Sequence, residues 1–144
     1  MEPNQNKKLI TSWLSLTNVQ MNIQNDLEST LQLHHQLSLK EFYVLLFLSE
    51  APEKKLKLQQ LQNMVGLSQS AMSRLVSRFE AKGCGALKRH ICLEDRRAIF
   101  TSITKEGEEK LGKAFVTFNE TLANIFTKKD IQDGLKDLIQ QIKS

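Results

Sequence analysis

The side chains best suited to recognition chemistry in this chain are its arginines, and they are not spread along it. Arg74, Arg78, Arg89, Arg96 and Arg97 all lie between Leu58 and Ile103, and there are no others. From Ser68 to Arg97, seven Lys and Arg stand against three Asp and Glu, a net of +4. The whole 144-residue chain is also +4, so everything outside that window sums to zero. A guanidinium is a planar fork of donors that matches phosphate oxygens and the edge of guanine. Such sorting implies one nucleic-acid-facing surface on an otherwise balanced protein. Catalytic chemistry is not assembled in the same way. No paired carboxylates, nucleophile–base arrangement or glycine-rich phosphate loop stands out, and no enzyme activity is expected. His34 and His35 are adjacent, but no Cys/His cluster stands beside them, so neither a metal nor another cofactor is expected.

The elements that must position the arginines are short. Leu58, Leu61 and Val65 fall on one face of a brief helix. Gly66 follows, where a helix end needs a residue tolerant of positive φ. Ser68 is a suitable N-cap for a second helix, which would bury Met72, Leu75, Val76 and Phe79. Its opposite face offers Gln69, Ser70, Ser73, Arg74, Ser77 and Arg78, which are mostly short, polar and free of acid. Short side chains let a helix backbone approach base edges while arginines reach phosphate or guanine. Helix, glycine-containing turn, helix is the helix-turn-helix pattern. Two strand-like runs, Ala86 to Cys92 and Ala98 to Ile103, flank a loop with Asp95, Arg96 and Arg97 at its tip. An arginine there would enter a minor groove, where negative potential is focused. Lys88 and Arg89, on the first strand, are candidate phosphate ligands. The expected fold is therefore mainly α with a small β wing (α+β).

Taken together, Gly66-Leu67-Ser68-Gln69-Ser70-Ala71-Met72-Ser73-Arg74, Glu94-Asp95-Arg96-Arg97-Ala98 and Ile103-Thr104-Lys105-Glu106-Gly107 resemble the MarR family of bacterial transcription regulators. The wing pattern is the distinctive part: Asp-x-Arg, then hydrophobic-Thr-x-x-Gly. The resemblance implies a homodimeric winged helix-turn-helix protein that binds a pseudo-palindromic site in double-stranded DNA. It would act mostly as a repressor and be released by a small ligand or by oxidation. It also implies that Gln69, Ser70, Ser73, Arg74 and Ser77 face the major groove, and that Ser68 and Arg78 touch backbone phosphate. Arg97 would reach the minor groove, and Asp95 would orient the wing by pairing with a nearby arginine. Family members often bind aromatic or amphipathic ligands between the dimer helices and the DNA lobe. Trp13, Leu16, Phe42, Leu46 and Phe115 are the candidate lining of such a pocket, although their spacing equally suits plain core.

One departure concerns the corner after the second helix. Relatives run from an acid-x-x-Gly turn directly into the wing strand. Here Glu80-Ala81-Lys82-Gly83 is followed by Cys84-Gly85, and Gly83-Cys84 reads as two extra residues. Cys84, between two glycines, is a candidate redox residue. The organic-hydroperoxide branch of the family uses a cysteine in its N-terminal helix, where this chain has none.

The rest of the chain reads as helices in search of partners. At 144 residues with 40% hydrophobic content, a single domain with a sizeable core is expected. No apolar run approaches a membrane span and the N-terminus lacks a signal-peptide core, which points to a cytoplasmic protein. Residues 1–5 read as a loose end. Helical periodicity from about Asn6 to Leu33 carries an apolar arc wider than one core contact needs, which suggests burial against a second chain. His34-His35-Gln36-Leu37 breaks that pattern, and Ser38-Leu39-Lys40-Glu41 is a capping box. Leu56-Lys57 is a candidate first strand. Leu111, Phe115, Phe118, Leu122 and Ile125 form a coiled-coil-like seam after Thr104, and a last helix restarts at Thr127. The division expected is a lobe over about 38–103, with dimerisation helices over about 6–33 and 104–144. The competing reading is a winged-helix dimer that serves as a protein-interaction adaptor and binds no DNA; acid on the second helix's polar face would have favoured it.

Overall fold

The computed structural model describes residues 3–80, 84–91 and 99–143. Helix α1 (Pro3–His35) is followed by α2 (Leu39–Glu50), a 3-10 turn (Pro52–Lys54) and β1 (Lys55–Lys57). Then come α3 (Leu58–Val65), α4 (Gln69–Glu80), β2 (Leu87–Ile91), β3 (Ile99–Ile103), α5 (Lys105–Thr127) and α6 (Lys129–Lys143). The three strands form an antiparallel sheet in the order β1-β3-β2. This is the mainly helical winged fold expected from the sequence, with several boundaries moved.

The first helix is longer than its periodicity indicated. It begins at Pro3, not Asn6, and continues through His34 and His35. Proline is tolerated in a first turn because its missing N–H would be unpaired there anyway. At the other end the two histidines stay helical and the chain turns at Gln36, whose φ is 53°. The Leu37 N–H then reaches back to the Leu31 carbonyl at 3.4 Å. Lys110 Nζ donates to the His35 carbonyl at 3.1 Å, supplying a partner for one of the unpaired C-terminal carbonyls. The last helix starts at Lys129 and not at Thr127, which closes α5.

The core is centred on α2. Phe42, Val44, Leu45 and Leu48 are fully buried, with Leu31 and Leu37 behind them and Leu61, Met72 and Val76 in front. Phe42 stacks on Phe118 of α5, centroids 4.6 Å apart. The Ser38 capping box is complete: Ser38 Oγ accepts from the Glu41 N–H, and Glu41 Oε1 accepts from the Ser38 N–H at 2.7 Å. After β3, Thr104 caps α5 by accepting the Gly107 N–H at 3.1 Å. A Cβ at Gly107 would lie 2.3 Å from the Ala86 carbonyl oxygen. Only glycine lets α5 begin this close to the strand that leads into the wing.

The outer helices carry a second apolar surface that this core does not use. Leu9, Ile10, Trp13, Leu14 and Met21 on α1 are exposed, as are Val116 and Phe126 on α5 and Ile139 and Ile142 on α6. Single exposed leucines are ordinary; a run along one 33-residue helix with matching residues on its two neighbours is not. Among the described residues no helix is long and apolar enough to cross a membrane.

Candidate nucleic-acid interface

The turn between α3 and α4 is built as its residue types require. Gly66 sits at φ 76°, in the left-handed region, and its N–H closes on the Gln62 carbonyl at 2.9 Å. Leu67 packs against the core. Ser68 Oγ accepts the Ala71 N–H at 3.2 Å and so opens α4 as an N-cap. Met72, Leu75, Val76 and Phe79 bury one face of the helix. Gln69, Ser70, Arg74, Ser77 and Arg78 are exposed on the other, with Ser73 half-buried between them. Arg74 has no acidic partner among the described residues, so its guanidinium is available to an incoming anion.

Strand geometry separates the two basic residues of β2. Arg89 pairs with Thr101, and Lys88 with Ser102; side chains alternate faces along a strand, so the two point apart. Arg89 turns toward α4. Its Nε donates to Glu80 Oε1 at 3.0 Å and its Nη2 to Ser77 Oγ at 3.4 Å. That pair brings a β2 guanidinium to the side of the α4 polar face. Lys88 is exposed on the opposite face of the sheet, which also carries Lys55 and Lys57 around the Phe100 ring.

Arg78 stands at the edge of the face. Its Nη2 donates to Glu41 Oε2, while the arginine side chain remains 66% exposed and the glutamate side chain only 7%. The sequence marks Glu41 as a capping residue. Its second role, across 37 positions of chain, has no local signature.

Asp95, Arg96 and Arg97, the loop they tip, Gly83 and Cys92 lie outside the described residues. Cys84 is half-buried and packs against the core. It lines a cavity of about 610 Å³ together with His34, His35, Glu41, Arg78 and Lys110. Burial, with the charges of His34, Lys110 and Lys113, holds His35 below its usual pKa. Its Nε2 lies 2.6 Å from Thr117 Oγ1. None of the five ligand-pocket candidates lines that cavity. Phe42 is closed inside the core, Leu46 is half-buried against it, and Trp13, Leu16 and Phe115 are exposed on α1 and α5. Among the described residues no group of three or more His, Cys, Asp or Glu comes together in a way that could hold a metal.

The MarR family model matches residues 24–98, just over half of the chain. A search of curated proteins gave no match. Many solved structures share the fold. A MarR family transcriptional regulator from Streptomyces coelicolor, solved in complex with DNA, superposes with a TM-score of 0.73 at 22% identity, covering 91% of this chain and 82% of that one. The transcriptional regulator BldR from Sulfolobus solfataricus gives 0.74 at 21% identity, covering 99% of each chain. Apo wild-type MarR from E. coli gives 0.70 at 17% identity, covering 88% of this chain and 92% of that one. At these identities the structural likeness speaks to fold.

Proposed function

The chain belongs to the MarR family of DNA-binding transcription regulators, and from that premise we propose that it is a homodimeric repressor reading a pseudo-palindromic operator with the polar face of α4. The observation that carries this reading is the character of that face. It is built from the exposed Gln69, Ser70, Arg74 and Ser77 and the half-buried Ser73, contains no acid, and is flanked by Arg78 and Arg89. Short polar side chains permit close approach to base edges, and the exposed Arg74 supplies a bidentate donor. Ser68 spends its hydroxyl on the helix cap, so its part in holding a phosphate falls to the N-terminal N–H groups of α4. Lys88, which points away from α4, has a lesser part than Arg89.

The exposed apolar residues of α1, α5 and α6 would be covered by a second copy of the chain, which sets two α4 helices roughly 34–36 Å apart for successive major grooves. Residues 38–103 would act as the DNA lobe and the terminal helices as the dimerising frame. Arg97, with Asp95 and Arg96 beside it, would serve the flanking minor groove. A small aromatic or amphipathic effector would bias the dimer toward a spacing that no longer fits DNA. The chemistry takes place on DNA, in the cytoplasm, and no residue is assigned a catalytic role.

Footprinting of the purified protein on the DNA upstream of its own gene tests this reading. The expected result is one protected stretch with two half-sites a helical turn apart. Uniform protection that vanishes with modest salt would leave only a polyanion patch and remove the regulator reading.

A further inference from the structure

The first turn of α2 makes polar contacts with three other helices. Glu28 of α1 accepts the Leu39 N–H through Oε2 at 2.6 Å. Lys40 Nζ donates to the Val65 carbonyl at 2.7 Å, at the end of α3 and beside Gly66. Glu41 accepts from Arg78 of α4. Residues 39–41 thus tie one helix of the dimerising frame to both helices of the DNA-reading pair.

Glu41 is the most constrained member of this set. It is buried, its Oε1 is committed to the Ser38 N–H, and its Oε2 faces Arg78. A buried carboxylate needs such partners, because desolvating it without them is costly. Arg78 is in the opposite condition. One nitrogen is held, while most of the side chain stays in solvent at the rim of the α4 polar face. A guanidinium has five donors in a fixed plane. Fixing one of them to a buried acceptor orients the rest and removes rotamer freedom that phosphate binding would otherwise cost.

We propose that Glu41 is a positioning residue for DNA binding: it holds the Arg78 guanidinium at the edge of α4 with its remaining N–H groups turned outward to a backbone phosphate. This role rests on the DNA-reading function proposed above. The rival account makes the ion pair a sink that withdraws Arg78 from DNA. The two accounts predict opposite signs, since deleting an acid beside a DNA-binding surface should by itself strengthen binding.

The test uses the full-length protein and the tightest duplex that it selects from a random-sequence library. Affinity is measured over a salt series for wild type, Glu41→Gln, Glu41→Ala, Arg78→Ala and the Glu41→Gln/Arg78→Ala double variant. Glu41→Gln keeps an acceptor for the Ser38 N–H, and with it the cap, but turns an amide NH2 toward Arg78, so the bond to the guanidinium is lost; thermal melting confirms that it folds. It should bind roughly 5-fold more weakly. The slope of log affinity on log salt should flatten toward that of Arg78→Ala, whose own slope falls by about one phosphate contact per protomer. Adding Glu41→Gln to Arg78→Ala should cost nothing further. Tighter or unchanged binding by Glu41→Gln, an unchanged salt slope, or additive losses would overturn the positioning role alone. Failure of the wild type to select any duplex would overturn the DNA-reading function, and this role with it.

Discussion

His35, at the end of α1 against Thr117 of α5, is the residue from which a pH dependence is expected. Its imidazole is pressed below the usual 6.5 by burial first, then by His34, Lys110 and Lys113. A histidine with a lowered folded value takes up its proton more readily in the unfolded chain than in the folded one. The contribution is therefore fully present above about pH 6.5 and lost as the pH falls from there toward the folded value. Replacing His35 by Gln keeps a polar group next to Thr117 and removes the titration. The melting temperature of His35→Gln should fall less between about pH 7 and about pH 5 than that of the wild type, as read by calorimetry at matched ionic strength. Parallel curves for the two proteins would show that the imidazole is not what senses the acid. At this scale much was legible from sequence. The Ser38 cap, the Gly66 turn and the Ser68 cap follow from local chemistry, and each is formed by the residues whose types announced it. What was not legible is what those residues touch far along the chain. Glu41 was readable as a cap because its partner is three residues away; its bond to Arg78 was not, because only the packing of α2 on α4 brings them together.

At the scale of elements, the sheet offers the sharpest stability test. Thr101 lies in the central strand between Leu56 and Arg89, fully buried, and its hydroxyl has no hydrogen-bond partner among the described residues. A buried unsatisfied hydroxyl costs on the order of 1–3 kcal/mol. Thr101→Val keeps the branched shape that suits a strand and removes that cost. We expect stabilisation of about 1 kcal/mol, or roughly 3 °C in melting temperature. A lower melting temperature would mean that the hydroxyl is paired. Strand alternation sends Lys88 and Arg89, both candidate phosphate ligands, to opposite faces of the sheet, and Arg89 reaches Ser77 of α4. The α1 boundary moved because His34 and His35 are weakly patterned rather than helix-breaking. The actual stop is the backbone of Gln36 at positive φ, which glutamine does not advertise.

The whole molecule is unfinished as one chain. Trp13 is 65% exposed in the middle of the α1 apolar run, and Ile142 is 66% exposed on the last helix. Covering such a surface needs a partner, and a second copy offers the same patch in return. Sedimentation of the wild type should give twice the 16.5 kDa chain mass. Trp13→Glu should shift the equilibrium toward monomer and weaken operator binding by at least about 10-fold, since each half-site would then be bound alone. A Trp13→Glu protein that stays dimeric and binds normally would place the interface elsewhere. The existence of this second surface was readable from the width of the apolar arc on α1, and the coiled-coil-like spacing of α5 pointed the same way. How the seam divides was not readable: Leu111 and Ile125 belong to the protomer core, while Phe115 faces outward. Periodicity fixes which residues share a stripe but not what covers it.

Whether the exposed face of α4 reads DNA sequence is decided at Arg74. Wild type and Arg74→Ala would be titrated against the duplex selected by the wild type and against a scrambled duplex of equal length, at one salt concentration near physiological. The wild type should prefer the selected duplex by at least about 1,000-fold. Arg74→Ala should lose roughly 10-fold or more of that preference, while its binding to the scrambled duplex changes little. Equal binding of the wild type to both duplexes, or full retention of the preference by Arg74→Ala, would contradict sequence reading by that face.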